Sequence, residues 1–433
     1  RERRRKRKRE RQTEREGERQ RERKRDFTKN MRSVNCSYVL PKKNRKCRML
    51  VKTGNLFCGE HSNQEAGNQD RVACPLNPRH TVLLKELEKH VKSRCNERFV
   101  ATQPYLREKM NAVDGETRYF DAIDRRPTDQ FYRLLFLLIK IRYGIYFKLF
   151  SRQISVELTA AMLEYMKQNR DLCGQKIKHM KQIAAMIAQM KSAKLLRDEA
   201  TTCLCDLGAG KAQLAYWTAK TAPSVRYLLV DRQGMRLKWD NRAKKEGCTF
   251  DMVRLRCSVE HLDLRKVQEL QGIHDVFGVC KHLCGSGTDA GIRCMLRLLE
   301  EDEGEQDSSE SADDVKKPPR LSGLVLAPCC AHKSRFAEYI GSEHLASLGL
   351  STPADFSALR HVATWTVAGM AERNDDGEED GTWSSQWKRR LGRLAKVLLE
   401  TGRALAIQKR GFKVTVVEYV DEGTSPENLL ILA

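Results

Sequence analysis

The chain has 433 residues, 40% of them hydrophobic, which is enough apolar material for a real core and excludes wholesale disorder. Its formal charge is +23, of which the first 25 residues, with 15 Lys/Arg against 6 Asp/Glu, supply +9 and the rest +14. A folded body that basic favours a polyanionic partner such as nucleic acid over a basic surface kept for solubility alone. The opening charge run has no apolar stretch behind it, so no secretory leader is expected. The greasiest segment, residues 131–150, is broken by Arg133, Lys140 and Arg142, and its longest apolar run is Leu134–Ile139. A membrane span needs about 20 apolar residues, so this segment is expected as a buried helix of an intracellular protein, in nucleus or cytoplasm. Fifteen cysteines in such a chain point to metal sites and reduced thiols instead of a disulfide framework.

Residues 1–30 are low-complexity Arg/Lys/Glu, too charged to fold alone, and are expected as a disordered basic tail. Residues 31–66 hold Cys36, Cys47, Cys58 and His61 with the spacing C-x10-C-x10-C-x2-H. Residues 70–99 hold Cys74, His80, His90 and Cys95, spaced C-x5-H-x9-H-x4-C. Each set supplies the four soft or borderline ligands of a closed structural zinc site. Segments this short bury too little surface to fold unaided, and a metal supplies the missing stability. The pattern over residues 82–91 predicts a helix that places His90 near its end. Basic residues stud both modules, among them Lys42, Lys43, Arg45 and Lys46 in the first and Lys85, Lys89, Lys92 and Arg94 in the second. Such side chains suit phosphate contact, which positions a protein on nucleic acid without reading its sequence.

Residues 100–200 read as a helical region with an RNA-binding role. Its later run, Ile177, Met180, Ile183, Ala184, Ile187 and Met190, has the three-and-four spacing of a helix whose methionines serve core packing. From residue 201 to 433 the pattern changes to short apolar runs alternating with helical segments. Strands are predicted at 203–207, 225–230, 252–256, 275–280 and 321–327, with helices between them, which implies βαβ units and a parallel sheet. Runs at 412–420 and 428–432 close the chain as an antiparallel pair, giving seven strands. Two acidic inserts, at 300–317 and 372–381, are expected as solvated loops.

The first predicted strand runs into Asp206-Leu207-Gly208-Ala209-Gly210-Lys211, where glycines let backbone approach a ligand and the next helix aims its N-terminus. Asp231 ends the second strand, placed to accept ribose hydroxyls. A dinucleotide fingerprint requires a small third residue at position 213, which is Gln213, so that reading fails. The remaining combination resembles a class I, Rossmann-like methyltransferase using S-adenosylmethionine. Two further segments end strands where open α/β sheets bind ligands: residues 279–285 (VCKHLCG) and 326–332 (LAPCCAH).

The succession of a C-C-C-H finger, a C-H-H-C finger, DLGAGK, CKHLCG and APCC with His332 resembles one family, the eukaryotic tRNA 2'-O-methyltransferases that modify position four of the acceptor stem. The second finger is similar to one in a minor-spliceosome protein. The likeness runs from about Asn35 to the C-terminus, including Tyr419-Val420 and Glu427-Asn428. It implies a seven-stranded methyltransferase sheet behind two zinc fingers, with S-adenosylmethionine held by Asp206, Gly208, Gly210 and Asp231, two structural Zn2+ ions, and the tRNA acceptor stem as partner. The acid expected beside the adenine is missing from the end of the third strand, and either Asp263 or backbone contacts are expected to stand in for it. Where the family reads closer to CCHHRC, this chain has Cys329-Cys330-Ala331-His332-Lys333-Ser334. For catalysis Lys281 is the first candidate to hold or deprotonate the ribose hydroxyl, and His282 the alternative base. Cys329, Cys330, His332 and Arg335 are candidates for holding substrate, Arg335 through a phosphate. Two other readings stand beside this one: a cytosine-C5 RNA methyltransferase with Cys329 or Cys330 as nucleophile, and a non-catalytic zinc-finger RNA-binding protein.

Overall fold

The computed structural model describes residues 35–40, 45–47, 49, 51, 56–58, 61, 71–95, 103–113, 129–143, 150–151, 157–170, 172–232, 238–300, 319–366 and 384–433. The basic tail and the bulk of both acidic inserts lie outside them. The chain divides into two compact units, residues 1–100 and 101–433.

The first unit holds two small antiparallel pairs, β1 (Val39–Leu40) with β2 (Arg45–Lys46), and β3 (Arg71–Cys74) with β4 (Asn77–Leu83). The predicted helix over residues 82–91 starts later than the spacing suggested. Thr81 and Val82 pair with Ala73 and Val72 in the second hairpin, and helical turns begin only at Leu84. β-Branched residues facing a ready partner strand outweigh the helical periodicity that Leu84 and its successors carry.

In the second unit an eight-stranded sheet carries the architecture. Its strands are β5 (Phe150–Ser151), β6 (Thr202–Leu207), β7 (Arg226–Val230), β8 (Met252–Leu255), β9 (Asp275–Cys284), β10 (Arg320–Cys329), β11 (Thr415–Glu418) and β12 (Leu429–Leu432), in the order β5-β11-β12-β10-β9-β6-β7-β8. The seven expected strands are present with the terminal antiparallel partner: β12 runs antiparallel to both β10 and β11. The two-residue β5, which its length hid from pattern reading, adds an eighth at the edge beside β11. All six residues of β6 are buried, as a strand covered on both faces requires. Strand order reverses between β6 and β9, the switch point where open α/β sheets form their ligand crevice.

Strands β9 and β10 are each longer than their apolar runs. They stay paired through Cys284 and Cys329, with an irregularity between Ala327 and Cys329. This extension carries Lys281, His282 and Cys284 out past the switch point.

Helices cover both faces. The expected greasy helix is α1 (Asp129–Tyr143), with Phe131, Leu134, Leu135 and Leu138 buried, and α2 (Ala160–Gln168) begins at a Thr159 cap. Helix α3 (Gly174–Ser192) puts its Met/Ile stripe into the same cluster as Leu204, Tyr227 and Phe277 of the sheet, so the methionines pack as core. Helices α4 (Gln213–Ala219), α5 (Lys238–Lys245) and α6 (Ser286–Leu296) follow strands β6, β7 and β9. Helices α7 (Ser342–Ser347), α8 (Pro353–Ala363) and α9 (Ser385–Gln408) lie between β10 and β11, and α8 and α9 form an apolar cluster with α1. Among the described residues no helix is long and apolar enough to cross a membrane.

Candidate active site and metal centres

The turn after β6 is held from three sides. The Val230 carbonyl accepts from the amides of Gly208 and Ala209 at 2.8 and 3.0 Å. Asp231 accepts from the Gly210 amide at 2.8 Å. Arg254, on β8, donates to the Gly210 carbonyl at 3.1 Å while a bidentate pair with Asp240, at 3.1 Å, fixes its guanidinium. Gly208 and Gly210 both have positive φ, +80° and +51°, which a side chain resists. Asp206 is 2% exposed, and its Oδ2 finds no partner among the described residues. Burial pushes its carboxyl up to about 7, although Arg254 pulls the other way. A buried acceptor left open beside a left-handed glycine turn is the kind of group a bound ligand's donor completes. With Asp231 at the end of β7, the residues present fit a nucleoside-bearing cofactor.

Across the switch point, the Lys281 nitrogen lies 3.0 Å from Nε2 of His282 and 3.1 Å from Nδ1 of His179. The two imidazoles stand edge to face with centroids 6.1 Å apart. Enclosure in the cleft draws the Lys281 amine down to about 8, against the pull of Cys329 and Asp206. Enclosure and the neighbouring Lys281 draw His282 down to about 4, and the same two causes lower His179. Both rings are therefore neutral near pH 7 and serve as acceptors for the lysine. His282 has φ +70°, a strained backbone that turns its ring back over Lys281.

Next to this group, three thiols converge. Cys284 Sγ lies 3.4 Å from both Cys329 Sγ and Cys330 Sγ. The hydrogen-bonding contacts with Cys329 and Cys330 hold the Cys284 thiol well below its ordinary range, and the same contacts with burial push Cys329 up. Gly285, at φ +59°, locks the arrangement: a Cβ there would sit 2.4 Å from the Lys333 carbonyl carbon and oxygen. From behind, Ser334 is fully buried, with its carbonyl accepting from Arg360 at 2.6 Å and its hydroxyl from Arg403 at 3.0 Å. Arg403 in turn pairs with Asp289 at 2.8 Å and Glu400 at 2.9 Å.

In the first unit, Cys36, Cys47, Cys58 and His61 bring their ligand atoms within 4.8 Å of one another. His61 Nδ1 lies 3.3 Å from Cys58 Sγ and 3.5 Å from Cys36 Sγ, and its ring stacks on Tyr38 at 4.0 Å. Cys74, His90 and Cys95 gather likewise, with Cys74 and Cys95 sulfurs 3.7 Å apart. His80 lies on β4, and its side chain is outside those described.

Other expected site residues and the Tyr419 and Glu427-Asn428 signatures lie in contacts of the fold itself. Arg335 is 7% exposed and ion-paired to Glu338, so its charge is partnered inside the fold. Asp263 is 1% exposed, with its carboxylate capping the Arg265 amide and paired to the Arg265 and Arg107 side chains. His332 is half-buried beside Cys330. Tyr419, Glu427 and Asn428 stitch the β11–β12 connection to itself and to α9, through Tyr419 N–H to the Asn428 carbonyl at 3.1 Å and Lys396 to Glu427 at 2.8 Å. Sequence reading missed His179 and Arg254. His179 sits within the amphipathic pattern of α3, and Arg254 inside a strand, so neither carries a motif signal.

A family model described as Methyltransferase TRM13 matches residues 181–433. Two finger models also match: CCCH zinc finger in TRM13 protein over residues 34–62, and U11-48K-like CHHC zinc finger over residues 71–96. The chain is 29% identical to the tRNA:m(4)X modification enzyme TRM13 homolog of Mus musculus, over 92% of this chain and 94% of the relative. It is equally similar, with the same coverage, to the homolog of Homo sapiens. It is 26% identical to the tRNA:m(4)X modification enzyme TRM13 of Kluyveromyces lactis, over 92% and 95% of the two chains.

Proposed function

The chain belongs to the Methyltransferase TRM13 family, and on that premise we propose that it moves a methyl group from S-adenosylmethionine to the ribose 2'-hydroxyl at position four of a tRNA acceptor stem. The observation that carries this reading is the lysine between two neutral imidazoles, facing the Asp206–Gly210 turn across the switch point. S-adenosylmethionine, when bound, supplies a sulfonium methyl already activated for attack. Asp206, Gly208, Gly210 and Asp231 would hold it, with Arg254 and Asp240 keeping the turn in shape.

A hydroxyl attacks well only if it is aligned and its proton has somewhere to go. In its neutral form Lys281 has two N–H groups and a lone pair. Donation to His179 and His282 uses both N–H groups and leaves the lone pair to take the proton of the attacking hydroxyl. Lys281 is the proton acceptor, and the two histidines are positioning residues. Of the two nucleophiles that the cytosine-C5 alternative offers, Cys329 is disfavoured, being 8% exposed with its thiol pushed well above the ordinary range, while Cys330 is half-buried. The donor sets of both Cys/His clusters fit structural zinc. The basic residues beside them suit an A-form stem, which proteins read by shape and backbone.

The test is methyl transfer to unmodified tRNA with labelled cofactor, with the product mapped by nuclease digestion and mass spectrometry. A methylated ribose at position four of the acceptor stem is expected. A methylated base, or no transfer, would overturn the reading.

A further inference from the structure

We propose that Cys284, Cys329 and Cys330 form a third zinc site, at the mouth of the cleft and separate from the two finger clusters. The three sulfurs lie within 4.8 Å of one another, with two separations of 3.4 Å. Zinc–sulfur bonds of about 2.3 Å in a tetrahedron put neighbouring sulfurs ~3.8 Å apart. In the second finger cluster Cys74 and Cys95 stand at 3.7 Å, so the thiol cluster has nearly the spacing of a site built for that ion. None of the three is in a disulfide, and 3.4 Å is far from a bonded pair at about 2.05 Å.

The backbone spends strain to bring these thiols together. Cys330 sits in left-handed geometry at φ +52°, a strain for a residue with a side chain, while Gly285, following Cys284, takes φ +59°, which glycine adopts freely. Such conformations persist where the surroundings over-determine them and the site uses the result. The contacts also join parts of the chain remote in sequence: Cys284 ends β9, and Cys329 ends β10, 45 residues further on. Thiolate-rich sites select zinc among the common divalent ions. Cys284 is exposed and Cys330 half-buried, so the cluster opens to solvent and keeps a fourth position accessible. Bound there, zinc pins the end of the strand that carries Lys281.

The experiment compares zinc content, by elemental mass spectrometry, of the full chain and its Cys284→Ser, Cys330→Ser double variant, purified anaerobically with Zn2+ and freed of loose metal. About one zinc per chain less is expected in the variant, and a Cys36→Ser chain should lose its ion independently. Equal zinc in the parent and the double variant would overturn the site. Where the variant folds poorly, the parent chain decides: Zn2+ should shield Cys284 and Cys330 from alkylation, and chelation should expose them. Unchanged alkylation, or a Cys284–Cys330 disulfide in the anaerobic protein, would overturn it too. Neither readout depends on methyl transfer, so failure here and failure of the proposed reaction are separable.

Discussion

At Lys281 the same surroundings do two jobs. Enclosure favours the uncharged amine, and two acceptor nitrogens at 3.0 and 3.1 Å fix where its remaining lone pair can point. A base must be neutral to accept a proton, so kcat is expected to rise with pH and level off above about 8, the value to which the amine is drawn. Lys281→Met should lower kcat by roughly 10²–10⁴-fold with cofactor affinity by calorimetry unchanged, since the loss is general-base catalysis. Lys281→Arg should not restore it, because a guanidinium stays charged and cannot accept. An unaltered pH profile in Lys281→Met with substantial rate would remove Lys281 from the reaction. Lys281 was legible in the sequence because a lysine followed by histidine at a strand end is an unusual expense. Its partner His179 was not, because it lies 102 residues away on a helix whose pattern speaks only of packing.

Among the elements, the β9–α6 connection and the segment after β10 act as one assembly. Gly285 makes room for the Lys333 backbone, and a Cβ meeting carbonyl atoms at 2.4 Å has no flexible neighbour to push aside. Gly285→Ala, which also forces a side chain into positive φ, should cost roughly 1–3 kcal/mol or more in denaturant unfolding. Behind that segment, Arg403 is 1% exposed and compensates two buried carboxylates, Asp289 and Glu400. Arg403→Met leaves both without their cation and should cost ~3–5 kcal/mol, the range for breaking a buried pair from one side. A loss below about 1 kcal/mol, read by urea midpoint, would show that the network relaxes. Strand existence and order of type were readable here from apolar alternation. Strand ends were not: β9 and β10 outrun their apolar runs because pairing to each other, not hydrophobicity, carries them to Cys284 and Cys329.

Across the whole molecule, the two units are built from different material. The described part of residues 1–100 holds two Cys/His clusters, whereas that of residues 101–433 buries apolar clusters on both faces of a sheet. Chelation should therefore abolish hydrogen-exchange protection around Cys36–His61 and Cys74–Cys95, weaken tRNA binding, and leave cofactor affinity and sheet protection in place. Log affinity for tRNA should fall steeply and linearly with log salt, as counterion release from a chain of +23 requires. By itself the sequence determined the clustering of Cys36, Cys47, Cys58 and His61 and of Cys74, His90 and Cys95, the alternating pattern of the methyltransferase sheet, and the Asp206–Gly210 turn with Asp231. These depend on neighbours within a turn, a hairpin or a strand–helix step, so spacing along the chain records them. Only the tertiary structure decided that His179 would meet Lys281, that Arg254 would brace Gly210, that three thiols would converge, and that Arg335 would be spent on Glu338. Those contacts depend on the strand order and on burial from all sides, and neither leaves a period in the sequence.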